Sequence, residues 1–146
     1  MQQITRIFGE AGTVQAEKGA REAVSPASMT KILTLLVAVE TIENWEGSGL
    51  ITQEISDYCF RNNCSMAGFL TGEEPGLRDL LYGTILPSGA DAAMALADAA
   101  AGSQEAFVAL MNRRAEELGT SAHFANCVGI YDPENLCSVY DMAVIL

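Results

Sequence analysis

The stretch Ser25-Pro-Ala-Ser-Met-Thr-Lys31 decides how this 146-residue chain is interpreted. Serine is favoured just before a helix and proline at its first position, so we expect Ser25 to be an N-cap. The helix should begin at Pro26 and run to about Asn44, where a flexible Gly-Ser-Gly turn follows at residues 47–49. The stretch therefore predicts the N-terminus of a long apolar helix.

A hydroxyl and an amine lie three residues apart in this stretch, at Ser28 and Lys31. Residues at this spacing share a helix face. Residues 32–39 are almost entirely apolar, so we expect the helix to be buried and the lysine pKa to be lowered by desolvation, which allows a neutral amine to take the serine proton. The Ser28 N–H, at the positive end of the helix, could form half of an oxyanion hole. A Ser-x-x-Lys match is common by chance, and the alternative is a capping serine with a solvated lysine.

Two further stretches of the sequence carry recognisable motifs. Residues 79–93 contain Pro87-Ser-Gly-Ala-Asp91, and residues 123–133 read His-Phe-Ala-Asn-Cys-Val-Gly-Ile-Tyr-Asp-Pro, followed by Tyr-Asp-Met-Ala at 140–143. With the Ser-x-x-Lys segment, they resemble the serine D-alanyl-D-alanine carboxypeptidases of the penicillin-binding class. The resemblance runs from about residue 23 to the C-terminus. It implies the α+β, β-lactamase/transpeptidase-like fold, of which this chain would supply a mainly helical part with at most two short N-terminal strands.

The resemblance also implies a mechanism. Ser28 would attack the penultimate carbonyl of a peptidoglycan stem peptide that ends in D-Ala-D-Ala, and Lys31 would take its proton. Ser88 would relay a proton to the departing D-alanine, and water would release the acyl-enzyme. β-Lactams would acylate the same serine as covalent inhibitors. These steps need no metal and no organic cofactor.

The chain departs from the family pattern at two places. Ala90 occupies a substrate-binding position where the family usually has asparagine, and an alanine side chain makes no hydrogen bond. The family's Lys-Thr-Gly strand motif does not occur in the 146 residues. We therefore expect residues 1–146 to be a single partial catalytic domain without that strand region. An incomplete sheet would leave an apolar helix face open, which favours self-association.

Other patterns predict the remaining elements. Residues 4–8 and 13–15 are typical of two short strands around a turn at 9–12. Helices are expected from Pro75 to a break at 87–89, over the alanine-rich residues 91–101, and from a cap at Ser103 to a stop at Gly119. Residues 51–60 carry a weaker helical pattern. Ser138 and Asp141 resemble a capping box that opens a last helix.

Charge and hydropathy exclude several functions. The net charge is −11 with a pI of about 4.3, which argues against nucleic acid and against an anionic membrane surface. No apolar run reaches the roughly 20 residues needed to span a bilayer, and the first ten residues lack the apolar core of a signal peptide. Because the family is exported, we expect the protein on the extracytoplasmic face of the bacterial cell membrane or in the periplasm.

Four cysteines, at positions 59, 64, 127 and 137, allow three pairings. Their spacing is wrong for zinc, so we expect free thiols in apolar surroundings, while a disulfide stays open for an exported protein. Cys59 and Cys64 would lie on different faces if their segment were helical. His123, the single histidine, is interpreted as structural because the resemblance assigns its stretch to the surroundings of the site.

Two other functions stay open. One is a non-catalytic domain that binds cell-wall peptide or assembles with a partner, which Ala90 and the missing Lys-Thr-Gly motif favour. The other is a β-lactam-sensing or β-lactamase relative. A β-lactamase needs a base that activates water, and the sequence offers no convincing residue for that role.

Overall fold

Helices make up most of the fold in the computed structural model, which describes residues 5–8 and 14–146. The helices are α1 (Thr30–Thr41), α2 (Gln53–Arg61), α3 (Leu77–Ile85), α4 (Ala90–Ala101), α5 (Gln104–Glu117) and α6 (Val139–Ile145). Within the described ranges, none of them is long and apolar enough to cross a membrane.

Two short strands precede the helices, as the sequence predicts. They are β1 (Thr5–Phe8) and β2 (Val14–Lys18), which pair antiparallel with Thr5 opposite Lys18. β2 extends three residues beyond its predicted end at residue 15. The turn expected at residues 9–12 lies outside the described residues. The strand pair contacts α6, so the two ends of the described chain lie together.

The start of α1 differs from the sequence-based prediction. Ala27 has a φ of +48°, a left-handed conformation that no α-helix accommodates, and Ala27–Met29 form a separate 3₁₀ turn. The α-helix begins at Thr30 with Met29, not Ser25, in the N-cap position, and it ends at Thr41 because Ile42 is extended. The prediction of one helix from residue 26 to residue 44 is therefore wrong at both ends.

The burial of α1 is also less complete than its composition predicts. Leu33, Val37 and Ala38 are buried, whereas the Val39 side chain is 52% exposed. The helix thus buries one face and leaves the opposite side partly open. Self-association through this side stays a prediction.

The core is organised around α4, which packs against α1, α2, α3 and α5. Its first eight residues, Ala90 to Ala97, are all buried. Most of them are alanines, whose small side chains let neighbouring helices approach closely, as the composition of this segment predicts. Larger side chains from the surrounding helices, including Leu33, Leu80 and Phe107, complete the core.

Most predicted helix ends are confirmed. Gly102 ends α4 in the left-handed conformation with a φ of +82°, and the Ser103 hydroxyl accepts the Ala106 N–H at the start of α5. The weaker pattern at residues 51–60 forms α2. α3 begins at Leu77, two residues after the proline predicted to start it.

The capping box of α6 is confirmed and is buried. The Ser138 hydroxyl donates to the Asp141 carboxylate at 2.7 Å and accepts the Asp141 N–H at 3.0 Å. Burial raises the pKa of Asp141, but hydrogen bonds from Ser138 and Ser121 outweigh it and hold that pKa below its ordinary value. The stabilisation from this carboxylate is therefore present above the ordinary pKa of 3.8 and is lost as the pH falls through the folded value.

We expect Ser138→Ala to lower the free energy of unfolding by about 2 kcal/mol at pH 7, because it removes a cap and leaves a buried carboxylate short of a donor. Ser103→Ala is the matched control, since it removes an exposed cap alone and should cost about 1 kcal/mol. Urea unfolding measures both. Equal losses in the two variants would show that the buried carboxylate contributes nothing.

Candidate active site

Ser28 lies in the 3₁₀ turn immediately before α1. Its side chain is exposed, as are the neighbouring Ala27 and Met29. The left-handed conformation of Ala27 turns the chain so that this serine precedes the α-helix instead of lying inside it. The turn therefore presents the hydroxyl at the surface, at the N-terminal end of a helix.

Lys31 lies in the first turn of α1 and is only 4% exposed. Its Nζ donates a hydrogen bond of 2.7 Å to the backbone carbonyl of Val128. Desolvation by burial lowers the pKa of this amine, and its interactions with the thiols of Cys64, Cys127 and Cys59 oppose the shift. The expected lowering of the lysine pKa is confirmed, and its cause is the burial that the apolar helix predicts.

The segment that receives Lys31 is shaped by Asn126. The Asn126 Oδ1 accepts the N–H groups of Val128 at 3.2 Å and Gly129 at 2.7 Å, and its Nδ2 donates to the Ile130 carbonyl at 3.0 Å. An asparagine that bonds its own downstream backbone makes a turn. This turn holds the Val128 carbonyl where the lysine reaches it.

Gly129 packs directly against the turn that carries Ser28. Its φ is +80°, and a Cβ at this position would collide with the carbonyl of Ala27 and lie 3.0 Å from the Ser28 nitrogen. Only glycine permits both this backbone conformation and this close approach. The segment from Asn126 to Ile130 therefore positions Lys31 and the Ser28 turn together.

Ser88 lies in the turn between α3 and α4. It has a φ of +58°, and its Oγ is buried without a hydrogen-bond partner among the described residues. Gly89 holds the turn in place, since a Cβ there would lie 2.6 Å from the Gly83 carbonyl and 2.7 Å from the Ala67 nitrogen. Backbone strain and an unpartnered buried hydroxyl are both features that concentrate at functional sites.

Ala90 is the first residue of α4 and is 2% exposed. Its N–H donates to the Ser65 carbonyl at 2.8 Å, and its methyl group belongs to the buried core. The next residue, Asp91, accepts the N–H groups of Ala67 at 2.7 Å and Gly68 at 3.0 Å. The Ser88 turn is thus joined to the loop at residues 64–68, whose Cys64 interacts electrostatically with Lys31.

The candidate residues share a framework, although their side chains are not linked directly. Within the described part of the chain, the Lys31 amine bonds Val128 and neither serine hydroxyl. Sequence reasoning missed Asn126, Val128 and Asp91 as positioning residues. Asn126 lies in the stretch 123–133, and an asparagine followed by glycine three residues later could have indicated a turn there. The Val128 carbonyl could not be predicted as an acceptor, because every residue has a backbone carbonyl.

A cleft of about 910 Å³ adjoins the segment that receives Lys31. Asn126 and Val128 of that segment line it together with Tyr58, Asp98, Gln104 and others, but none of Ser28, Lys31 and Ser88 does. His123 bonds the Glu134 carbonyl through Nδ1 at 2.9 Å, consistent with its structural interpretation. The described residues contain no group of three His, Cys, Asp or Glu side chains that could hold a metal ion.

Solved structures with this fold are penicillin-binding proteins and DD-peptidases. The crystal structure of the Streptomyces K15 DD-transpeptidase has a TM-score of 0.89 and 34% sequence identity, and the match covers 96% of this chain and 56% of that chain. Penicillin-binding protein 6B from Escherichia coli gives a TM-score of 0.84 at 31% identity, over 92% of this chain and 44% of that one. The expected β-lactamase/transpeptidase-like fold is confirmed.

The family follows from the sequence match. The D-alanyl-D-alanine carboxypeptidase family matches residues 6–146, and this chain belongs to it. D-alanyl-D-alanine carboxypeptidase DacF of Bacillus subtilis is 34% identical over 140 residues, which are 95% of this chain and 36% of the relative. DacC of Escherichia coli is 35% identical over 141 residues, or 92% of this chain and 35% of the relative. The chain thus spans about a third of the length of these relatives.

We expect Gly129→Ala to lower the free energy of unfolding by about 3 kcal/mol or more. The new Cβ would collide with the Ala27 carbonyl, and alanine is also unfavourable at this positive φ. Gly102→Ala is the matched control: it has a similar φ of +82° and nothing within 4 Å. That variant should lose only about 1 kcal/mol. Urea unfolding compares them, and equal losses would contradict the close approach at Gly129.

Proposed function

We propose that this chain carries the nucleophile and general base of a serine D-Ala-D-Ala carboxypeptidase. The observation that carries the proposal is the buried Lys31 amine, whose pKa is lowered by desolvation, three residues from the exposed Ser28 hydroxyl. A neutral amine beside a hydroxyl is the arrangement that activates a serine nucleophile without histidine. The family membership of the chain supports the same reaction.

In the proposed reaction, the Ser28 Oγ attacks the penultimate carbonyl carbon of a stem peptide that ends in D-Ala-D-Ala. Lys31 takes the hydroxyl proton, and the Ser28 N–H stabilises the oxyanion. The Ser88 hydroxyl relays a proton to the nitrogen of the departing D-alanine. Water then hydrolyses the acyl-enzyme, which restores the serine and releases the shortened peptide.

The position of Ser88 supports its part in this scheme. A buried hydroxyl without a hydrogen-bond partner destabilises the unliganded protein. A substrate that supplies the missing hydrogen bond would remove this penalty, which favours binding. Ala90 gives no such support, since its methyl group is buried in the core. We therefore assign no polar contact with substrate to Ala90.

The same chemistry makes β-lactams covalent inhibitors, because their strained amide would acylate Ser28 and remain attached. Peptidoglycan stem peptides are the proposed substrate, and the proposed location is accordingly the extracytoplasmic side of the cell membrane. Both proposals agree with membership of the D-alanyl-D-alanine carboxypeptidase family. A non-catalytic peptide-binding domain is the alternative that the first experiment distinguishes.

We expect incubation with a fluorescent penicillin to add one penicillin mass to the chain, and Ser28→Ala to remove the adduct completely. Ser28 is exposed, so the substitution should leave the circular dichroism spectrum unchanged. Ser25→Ala is the matched control, since it changes another exposed serine of the same stretch and should be labelled fully. Intact-mass spectrometry reads both. A folded wild-type chain without an adduct would favour a binding module, and an adduct that survives in Ser28→Ala would exclude Ser28 as the nucleophile.

We expect the rate of penicillin acylation to rise with pH, with a midpoint below the ordinary lysine pKa of 10.5. The sign follows because only the neutral amine accepts the serine proton, and burial extends the neutral form to lower pH. Lys31→Arg keeps a donor but stays protonated, so its rate should fall about 10²-fold or more. Stopped-flow labelling measures the profile. A rate that is independent of pH, with an unimpaired arginine variant, would contradict Lys31 as the base.

A further inference from the structure

Cys59 and Cys64 lie together at the end of α2. The helix ends at Arg61, and Asn63, with a φ of +49°, reverses the chain. The Cys64 N–H then donates to the Cys59 carbonyl at 2.9 Å. The expectation that the two cysteines lie on different faces was conditional on a helical segment, and it does not apply because the helix stops before Cys64.

The backbone hydrogen bond from Cys64 to Cys59 brings the two residues together, and each thiol shifts the pKa of the other. Cys59 is 1% exposed, whereas Cys64 is half-buried. The other two thiols have acceptors of their own: Cys127 Sγ donates to Gln104 Oε1 and Cys137 Sγ to the Ser138 carbonyl. All four thiols are free in the structure, as the sequence analysis preferred. Cys59 and Cys64 are the two that the described structure joins by a backbone hydrogen bond.

We propose that Cys59 and Cys64 are an oxidisable pair, which forms an intramolecular disulfide with a low-molecular-mass disulfide such as oxidised glutathione as the oxidant. The half-exposed Cys64 sulfur, as its thiolate, attacks one sulfur of the oxidant and expels one thiol. Cys59 then loses its proton, attacks Cys64 Sγ and expels the second thiol. Two protein thiols are oxidised, and one small disulfide is reduced to two thiols, so two electrons are transferred.

The environment sets the order of the steps and their pH dependence. Burial raises the pKa of Cys59 to about 12. Burial also raises the pKa of Cys64. The Cys59 thiol and the Lys31 amine act in the opposite direction, and the Asp91 carboxylate adds to the rise. Cys64 is therefore the first thiol to react, and the reaction accelerates with rising pH because thiolates are the nucleophiles.

The crosslink would constrain the loop at residues 64–68, which is bonded to the start of α4 beside Ser88. The loop at residues 64–68 already bonds Ala90 through the Ser65 carbonyl and Asp91 through two N–H groups. A disulfide at Cys64 anchors the other end of this loop to Cys59 of α2. We expect the thermal unfolding midpoint to rise by about 5 °C on oxidation, since the unfolded chain loses freedom. None of this depends on the chemistry proposed for Ser28.

Tryptic mapping of the intact chain tests the pairing without any substitution. Trypsin cleaves at Arg61, between the two cysteines, and yields one peptide of residues 32–61 and one of residues 62–78. After treatment with oxidised glutathione at pH 8 and alkylation, we expect these peptides to appear as one mass that separates on reduction. Cys127 and Cys137 share the peptide of residues 115–146, which should carry two alkyl groups and serves as the internal control.

Three results would overturn the proposal: separate peptides with stable glutathione adducts, separate peptides that are alkylated throughout, or a crosslink that involves residues 115–146. Cys64→Ser provides a second readout, because its half-exposed position tolerates a hydroxyl. In this variant the oxidant should leave the unfolding midpoint unchanged. An equal rise of the midpoint in the variant would also contradict the crosslink.

Discussion

The hydrogen bond between the Lys31 amine and the Val128 carbonyl, at 2.7 Å, is the contact on which the site depends. A buried amine needs an acceptor, because an unpartnered polar group in the interior costs about 1–3 kcal/mol. The acceptor comes from a segment 97 residues further along the chain, so the bond ties the start of α1 to the turn of Asn126. The same segment brings Gly129 against the Ser28 turn. One contact thus sets the environment of the base and the position of the proposed nucleophile.

Local chemistry made much of the fold predictable from the sequence. Caps and left-handed glycines act within one helical turn, so Ser103, Ser138 and Gly102 indicated helix ends that the structure confirms. The alanine-rich run predicted a tightly packed helix because small side chains have few other uses in a core. The chemistry of Ser28 and Lys31 stays a proposal: it rests on their three-residue spacing, on the apolar run beside them and on the family resemblance, because a Ser-x-x-Lys match alone is common by chance.

What the sequence could not predict depends on contacts between distant segments. The α1 boundary moved because Ala27 adopts a left-handed conformation, which packing against Gly129 imposes and which no preference of alanine suggests. The meeting of Cys59 and Cys64 depends on where α2 stops. The acceptor for Lys31 is a backbone carbonyl, which every residue has. In each case the decisive contact is made either by a residue that is distant in sequence or by a backbone group that every residue carries.

Backbone strain in the described chain is found in three turns that carry or adjoin residues used in the two proposals. Ala27, Asn63 and Ser88 are its non-glycine residues with positive φ. Ala27 directly precedes Ser28, Asn63 directly precedes Cys64, and Ser88 is itself a candidate residue. Such conformations cost of order 1 kcal/mol each or more, so they persist only where the surroundings enforce them. Gly129 packs against Ala27, the end of α2 adjoins Asn63, and Gly89 packs closely beside Ser88 at the start of α4. The tightly packed helices therefore stabilise three strained turns, and these turns present the hydroxyls and thiols that the proposed chemistry uses.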